Sequence, residues 1–257
     1  MERSRRSFLK MAGISALGVV GAKPLADALA SRDGSKTGPD PKAMAGKRWA
    51  MVVDLKKPCP DNCRECFDAC HKTHNVPSMP NPKDEVKWIW SESFPHAFPG
   101  QEHDFLDESL KKHPVIVLCN HCDNPPCVRV CPTKATFRRD DGIVMMDYHR
   151  CIGCRFCMAG CPFGARSLNW RDPRPFIKEV NRDFPTRTRG VVEKCNFCEE
   201  RLAKGLKPAC VEACKEKVLV FGDLENADSE VRRLLRVRTA IRRKPQLGTM
   251  PQVYYLV

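Results

Sequence analysis

The residues with chemistry to offer are the cysteines, and sixteen of them fall into four runs of four with none left over. The first run is Cys59, Cys63, Cys66 and Cys70, spaced C-x3-C-x2-C-x3-C. The second is Cys119, Cys122, Cys127 and Cys131, spaced C-x2-C-x4-C-x3-C and followed by Pro132. The third is Cys151, Cys154, Cys157 and Cys161, spaced C-x2-C-x2-C-x3-C and followed by Pro162. The fourth is Cys195, Cys198, Cys210 and Cys214, spaced C-x2-C-x11-C-x3-C. Three cysteines two residues apart wrap a tight loop round one iron–sulfur cubane, and a fourth, three residues on, points away to ligate the neighbouring cluster. The proline after it fits a first helical position, where no amide donor is needed. The third run meets this pattern in full; the gaps in the first and fourth depart from it.

Three other chemistries fit less well. Eight disulfides would use all sixteen thiols, but they need no runs of closely spaced cysteines. Structural zinc takes paired C-x2-C knuckles, which would leave the third and fourth cysteines of each run idle. A c-type haem wants C-x-x-C-H. Cys66 to His71 has one residue too many, and both of its cysteines already belong to the first run.

Short apolar stretches precede every run: WAMVVD at 49–54, VIVL at 115–118, IVMMD at 143–147 and Val191-Val192. Between the second and third runs lie Ala135-Thr136-Phe137, the turn Asp140-Asp141-Gly142, and the return stretch 143–147, which predict a hairpin. The strand VLVF at 218–221 has no hairpin partner after it, so 49–54 is its expected neighbour. The fold expected is α+β: nested two-cluster ferredoxin-like modules with short strands, short helices and long loops. The second and third runs would form an inner module at 114–175, and residues 46–75 with 185–225 an outer one. Cross-ligation within each module predicts four sets. Cys119, Cys122, Cys127 and Cys161 form one, and Cys151, Cys154, Cys157 and Cys131 the next. Cys59, Cys63, Cys66 and Cys214 form the third, and Cys195, Cys198, Cys210 and Cys70 the fourth. The insertion 76–113 carries Trp88, Trp90, Phe94, Phe98 and Phe105 among prolines; it reads equally as a docking loop or as packing over the clusters. The tail 226–257, basic and then apolar at Val253 to Val257, reads as a docking extension.

The N-terminus is an address. Ser-Arg-Arg-Ser-Phe-Leu-Lys at 4–10, a modest apolar stretch to Ala22 and Ala28-Leu29-Ala30 match a twin-arginine signal over 1–30, with a linker at 31–45. The apolar stretch is too short to span a bilayer. The expected location is the periplasm, peripheral on the outer face of the cytoplasmic membrane. The net charge is +13, of which residues 1–30 carry five cations and two anions. Four oxidised clusters would bring about −8, so much of the Lys and Arg excess offsets cluster charge and is no nucleic-acid footprint. Lys134, Arg138, Arg155, Arg166 and Lys194 lie near the runs; solvated faces account for them more readily than specific roles. His121, inside CNHC, reads as a packing or hydrogen-bonding residue and not a ligand. There is no G-x-G-x-x-G, Walker loop or HExxH, and no substrate site of the chain's own is expected.

On CNHCDNPPCVRVCPTKAT at 119–136, CIGCRFCMAGCPFGAR at 151–166, CNFCEERLAKGLKPACVEAC at 195–214 and the ending LGTMPQVYYLV, residues 46–257 resemble the four-cluster ferredoxin subunits of membrane-linked respiratory complexes. The twin-arginine signal together with CHKTHNVP after the first run is most similar to the DsrO branch, from DsrMKJOP-type complexes of sulfur metabolism. The resemblance implies four [4Fe–4S] clusters and electron relay without catalysis. Its implied partners are an NrfD-like integral membrane quinol-interacting subunit and a c-type cytochrome. The other branch it leaves open serves molybdopterin oxidoreductases of the polysulfide, thiosulfate or tetrathionate type.

Overall fold

The computed structural model describes residues 42–57, 59, 63–101, 103–112 and 114–257, so the signal segment and most of the linker lie outside the described residues. In chain order the strands and helices are β1 (Trp49–Asp54), α1 (Glu65–Thr73), β2 (Ile89–Ser93), α2 (Phe94–Ala97), α3 (Glu108–Lys112), β3 (Pro114–Leu118), α4 (Pro126–Arg129), β4 (Thr136–Arg138), β5 (Val144–Met146), α5 (Phe156–Ala159) and β6 (Ser167–Leu168). There follow β7 (Val192–Glu193), α6 (Glu199–Leu202), α7 (Ala209–Ala213), β8 (Leu219–Asp223), α8 (Glu230–Val237), β9 (Ala240–Ile241) and β10 (Val253–Leu256). Most of these elements are a single turn or a few residues long. The α+β class expected from the sequence is the one observed.

One four-stranded sheet, in the order β8-β1-β10-β9, supports the rest. The expected pairing of β1 with β8 is present and antiparallel, with Met51 opposite Phe221. Successive side chains of a strand face opposite ways, and β1 is apolar from Trp49 to Val53 because both its faces are covered. Trp49, Met51 and Val53 join Leu219, Phe221, Val253 and Tyr255 in the main core, which also contains Cys66, Cys70, Cys119, Cys122, Cys195 and Cys210. Ala50 and Val52 face the other way, into a small cluster with Val220, Val231 and Leu256 beneath α8. Gly222 allows that close approach: a Cβ there would lie 2.4 Å from Ser229 Oγ and 3.3 Å from Val231.

The C-terminal residues form β10, which runs parallel to β1 with Val52 opposite Tyr254 and antiparallel to β9. Val253, Tyr255 and Leu256 are fully buried. The apolar ending is an inner strand of the chain's own sheet, because β1 needs a second neighbour to satisfy its outer row of backbone groups. The insertion is likewise a packed element. β2 pairs with β3 across the full register Ile89–Leu118 to Ser93–Pro114, and Trp88, Trp90, Phe94 and Phe98 are buried in the main core. Phe105 alone of its five aromatics is exposed. The hairpin between the second and third runs is observed as β4 and β5. Val192 pairs with Leu168 across β6 and β7, a contact not anticipated.

A dry polar knot ties the segment before β7 to the insertion and α1. Arg187 and Glu193, both fully buried, form an ion pair at 2.5 Å. Trp88 Nε1 donates to Glu193 at 3.0 Å and Asn169 Nδ2 at 2.5 Å, while the Arg187 guanidinium donates to the carbonyls of His74 and Asn75. Removing one partner of a buried pair leaves an uncompensated charge and costs about 3–5 kcal/mol. Glu193→Gln should therefore lower unfolding stability by that order, checked by chemical denaturation of the metal-loaded protein. Truncation after Gln252, which removes the inner strand, should leave protein that is cleaved rapidly in limited proteolysis; Leu256→Ala should cost about 2–5 kcal/mol in the same denaturation assay.

Candidate metal centres

Local backbone geometry aims the thiols. In three of the four runs the residue just before the second cysteine of C-x-x-C is left-handed: His121 at φ 41°, Gly153 at φ 67° and Phe197 at φ 57°. A second left-handed residue sits three positions after the last cysteine in three runs: Lys134 at φ 54°, Gly164 at φ 64° and Lys217 at φ 52°. L-residues rarely adopt this region and persist there only when their surroundings hold them. The recurrence is an internal repeat in backbone shape that side-chain identity conceals. At Gly153 it is joined by a close contact, since a Cβ there would lie 2.3 Å from the Gly190 carbonyl oxygen. The later cysteines of each run start helices: α1 carries Cys66 and Cys70, α4 Cys127, α5 Cys157 and α7 Cys210.

All sixteen thiols are free, and their mutual influence shows which lie together. Burial pushes the Cys66 thiol up to about 12, reinforced by Cys214, Cys59 and Cys63. Burial pushes Cys70 well up, reinforced first by Cys210, Cys198 and Cys195. Cys122 is pushed up to about 12 by burial and by Cys119, Cys127 and Cys161. These neighbours come from more than one run. Cys131 differs: burial raises its thiol, but hydrogen bonds from Thr136, Thr133 and Ala135 outweigh that and hold it below the usual range.

The donor set and its surroundings fit iron–sulfur clusters. Protons on four converging buried thiols can be exchanged for iron, whereas four bare thiolates in a dry pocket would repel one another. Cys119, Cys122, Cys127 and Cys161 line one cavity together with Val144, Phe163, Ala165 and Arg166. Backbone N–H groups aim at sulfur, from Phe197 to Cys195 at 3.4 Å, Ala209 to Cys198 at 3.4 Å and Val218 to Cys214 at 3.3 Å. Such bonds stabilise negative charge on the ligand sulfurs.

Exposure differs between the runs. The segments 119–122 and 195–198 are wholly buried, whereas Cys151, Cys154 and Cys131, and Cys59, Cys63 and Cys214, are half-buried. Cys119 is the thiol that most raises Cys195 after burial, Cys66 and Cys195 both act on Cys210, and Cys127 acts on Cys157.

His121 has the packing role expected of it: it stacks on Phe197 at 3.7 Å between centroids, and its Nδ1 accepts from the Val144 N–H at 3.1 Å. Two of the basic residues depart from the solvated-face expectation. Arg166 and Lys194 are 4% and 1% exposed; Lys194 Nζ donates to the carbonyls of Val144 and Cys195. Arg155 does lie at the surface, over the Trp170 ring. Sequence reasoning passed over His74, whose Nδ1 lies 2.9 Å from the Cys70 carbonyl oxygen and whose Nε2 lies 2.9 Å from Glu200 Oε1. Asn196 donates to the same carboxylate at 2.8 Å. His74, Cys198 and Glu200 are close enough to hold an ion together, but Cys198 faces Cys195 and Cys210 and both imidazole nitrogens already have partners. The signal that could have found this group is the His-Asn of CHKTHN, whose Asn75 fixes the 181–184 loop through hydrogen bonds to the Asn181 and Phe184 carbonyls.

Comparison with known proteins agrees with this geometry. The profile of the 4Fe-4S dicluster domain matches residues 114–174 and 180–224. The chain is 38% identical to the Hdr-like menaquinol oxidoreductase iron-sulfur subunit 1 of Archaeoglobus fulgidus, over 98% of this chain and 97% of the relative. It is 46% identical to the iron-sulfur subunit of a putative dimethyl sulfoxide reductase of Halobacterium salinarum, over 81% and 78%. It is 34% identical to a tetrathionate reductase subunit of Salmonella typhimurium, over 100% and 89%. With cysteine clusters of this geometry and likeness over nearly its whole length, the chain belongs to the family of iron–sulfur electron-transfer subunits of oxidoreductase complexes, which carry [4Fe–4S] clusters and leave the catalysis to other subunits.

Proposed function

We propose that the chain is a four-cluster wire on the periplasmic face of the cytoplasmic membrane, exported by the twin-arginine route. It carries electrons between an NrfD-like quinol-interacting membrane subunit and a c-type cytochrome in a DsrMKJOP-type complex of sulfur metabolism. The observation that supports the reading is the gathering of Cys119, Cys122, Cys127 and Cys161 around one cavity, in a chain with sixteen free cysteines that is alike over 98% of its length to a menaquinol oxidoreductase subunit. The ligand sets are those of cross-ligation within an inner and an outer module: Cys119, Cys122, Cys127 with Cys161; Cys151, Cys154, Cys157 with Cys131; Cys59, Cys63, Cys66 with Cys214; and Cys195, Cys198, Cys210 with Cys70. When bound, the clusters supply one-electron steps; the chain's own residues hold them apart from water and set their electrostatic surroundings.

The electrostatic influence of Cys127 on Cys157, of Cys119 on Cys195 and of Cys66 on Cys210 supports a linear order, from the third run's cluster through the second run's and the fourth run's to the first run's. In the two inner sets every cysteine but Cys161 is buried. The two end sets have half-buried cysteines, which suits exchange with partners. Among the described residues no helix is long and apolar enough to cross a membrane, so a membrane subunit would be needed to reach the quinol pool. The second reading, an electron-transfer subunit serving a molybdopterin oxidoreductase, is favoured by the likeness to the dimethyl sulfoxide and tetrathionate reductase subunits.

Two experiments test this. Cys161→Ser should change the electron paramagnetic resonance (EPR) signature of the second run's cluster and spare the third run's; the reverse pattern would mean that each run ligates its own cluster. Affinity isolation from mildly solubilised membranes, followed by mass spectrometry, should return a multi-span quinol subunit and a c-type cytochrome. A large molybdopterin subunit in their place selects the second reading.

A further inference from the structure

Arg166, Arg187 and Arg243 are buried, and their charges are met in different ways. Arg187 has a carboxylate, Glu193, against it. Arg243 donates through Nε to the Ala97 carbonyl at 3.1 Å and lies over the Phe163 ring. Arg166 has no carboxylate within salt-bridge distance among the described residues. Its Nη1 donates to Thr136 Oγ1 at 3.0 Å, and its Nη2 donates to Cys127 Sγ at 3.1 Å. A buried, unpaired cation is strongly unfavourable, so its countercharge must come from the sulfurs around it. The guanidinium stands where the second and third runs meet. Thr136 connects the two sides: its hydroxyl accepts from Arg166, and its N–H points at Cys131 Sγ at 3.5 Å. Lys194, also enclosed, directs its hydrogen bonds to carbonyl oxygens and is not equivalent.

We propose that Arg166 is the positioning residue that sets the potential of the cluster held by Cys119, Cys122, Cys127 and Cys161, favouring its reduced form through a charged hydrogen bond to Cys127. The inference rests on the ligand sets proposed above. Reduction adds a negative charge to a site whose nearest fixed cation is shielded from solvent, so the attraction is little screened by salt. The guanidinium favours the more negative, reduced form over the oxidised one, and its loss should shift the reduction equilibrium of that cluster by about tenfold, about 59 mV for a one-electron couple. Surface cations next to the cysteines, such as Arg155, are hydrated and should matter far less.

The test is a redox titration of the purified, fully loaded protein, followed by EPR at low temperature. In Arg166→Gln the cluster held with Cys127 should titrate at a potential lower by at least that amount, the cluster held with Cys157, on which the guanidinium also acts, should move in the same direction, and the two remote clusters should stay put. Arg166→Lys, which keeps the charge, should return most of the shift, and Arg155→Gln should leave all potentials in place. Four unchanged potentials in an Arg166→Gln protein with full iron and sulfide content would overturn the proposal. If that variant fails to assemble, wild-type protein labelled with guanidino-15N-arginine decides the matter. Pulsed EPR should then show a nitrogen coupling to the reduced cluster, and its absence overturns the assignment. Wild-type protein without [4Fe–4S] signals would instead overturn the ligand reading itself.

Discussion

The structure depends on one constraint: thiols from distant parts of the chain must converge in places from which water is excluded. Cys70 and Cys214 each lie among cysteines of another run, so the chain must close long loops before any group is complete. Closing such loops costs entropy that only subsequent contacts offset. In the absence of metal those contacts oppose one another, because burial and neighbouring thiols both disfavour the anionic form a metal requires. Metal binding, in contrast, binds the segments together, so cluster assembly and folding are coupled.

The remaining elements serve that convergence. The sheet β8-β1-β10-β9 presents Met51, Val53, Leu219 and Tyr255 to the side on which the cysteines lie, and α8 closes its other face. The insertion adds β2 to β3 and packs Trp88 against His74 at 4.4 Å between ring centroids. Arg187, Glu193 and the His74–Asn75 segment then join the insertion, α1 and the approach to β7 through buried polar contacts. Such a knot adds little net stability compared with apolar packing, yet any half-satisfied arrangement of it is costly.

Charge balance is the second theme. A chain with 44 Lys and Arg against 31 Asp and Glu looks made for a polyanion. Its enclosed cations are instead turned inward, on sulfur in the case of Arg166 and on backbone carbonyls in the case of Lys194. Exposure also differs among the cysteines, with 119–122 and 195–198 enclosed and Cys59, Cys63, Cys151 and Cys154 half-buried, which suits the proposed wire if electrons are exchanged at its ends and protected between them.

The chemistry was legible from spacing alone, because cysteine ligands are irreplaceable and their separation reflects the size of the object they grip. The hairpin 136–146 and the pairing of β1 with β8 were legible too, as apolar runs bounded by turn residues. The fate of Val253 to Leu256 was not: an apolar terminal strand looks the same whether it meets a partner or its own sheet, and only the vacant edge of β1 decides. Nor could Arg166 be told from Arg155. Both are arginines near cysteine runs, and burial is a property of what packs around a side chain, here Thr136 and Cys127 from another part of the chain. Sequence by itself determined the chemistry on offer, thiols in closely spaced runs, and the family to which such runs belong. Tertiary structure decided which of them meet and which cations they meet, because both depend on contacts between segments whose separation along the chain carries no record of their distance in space.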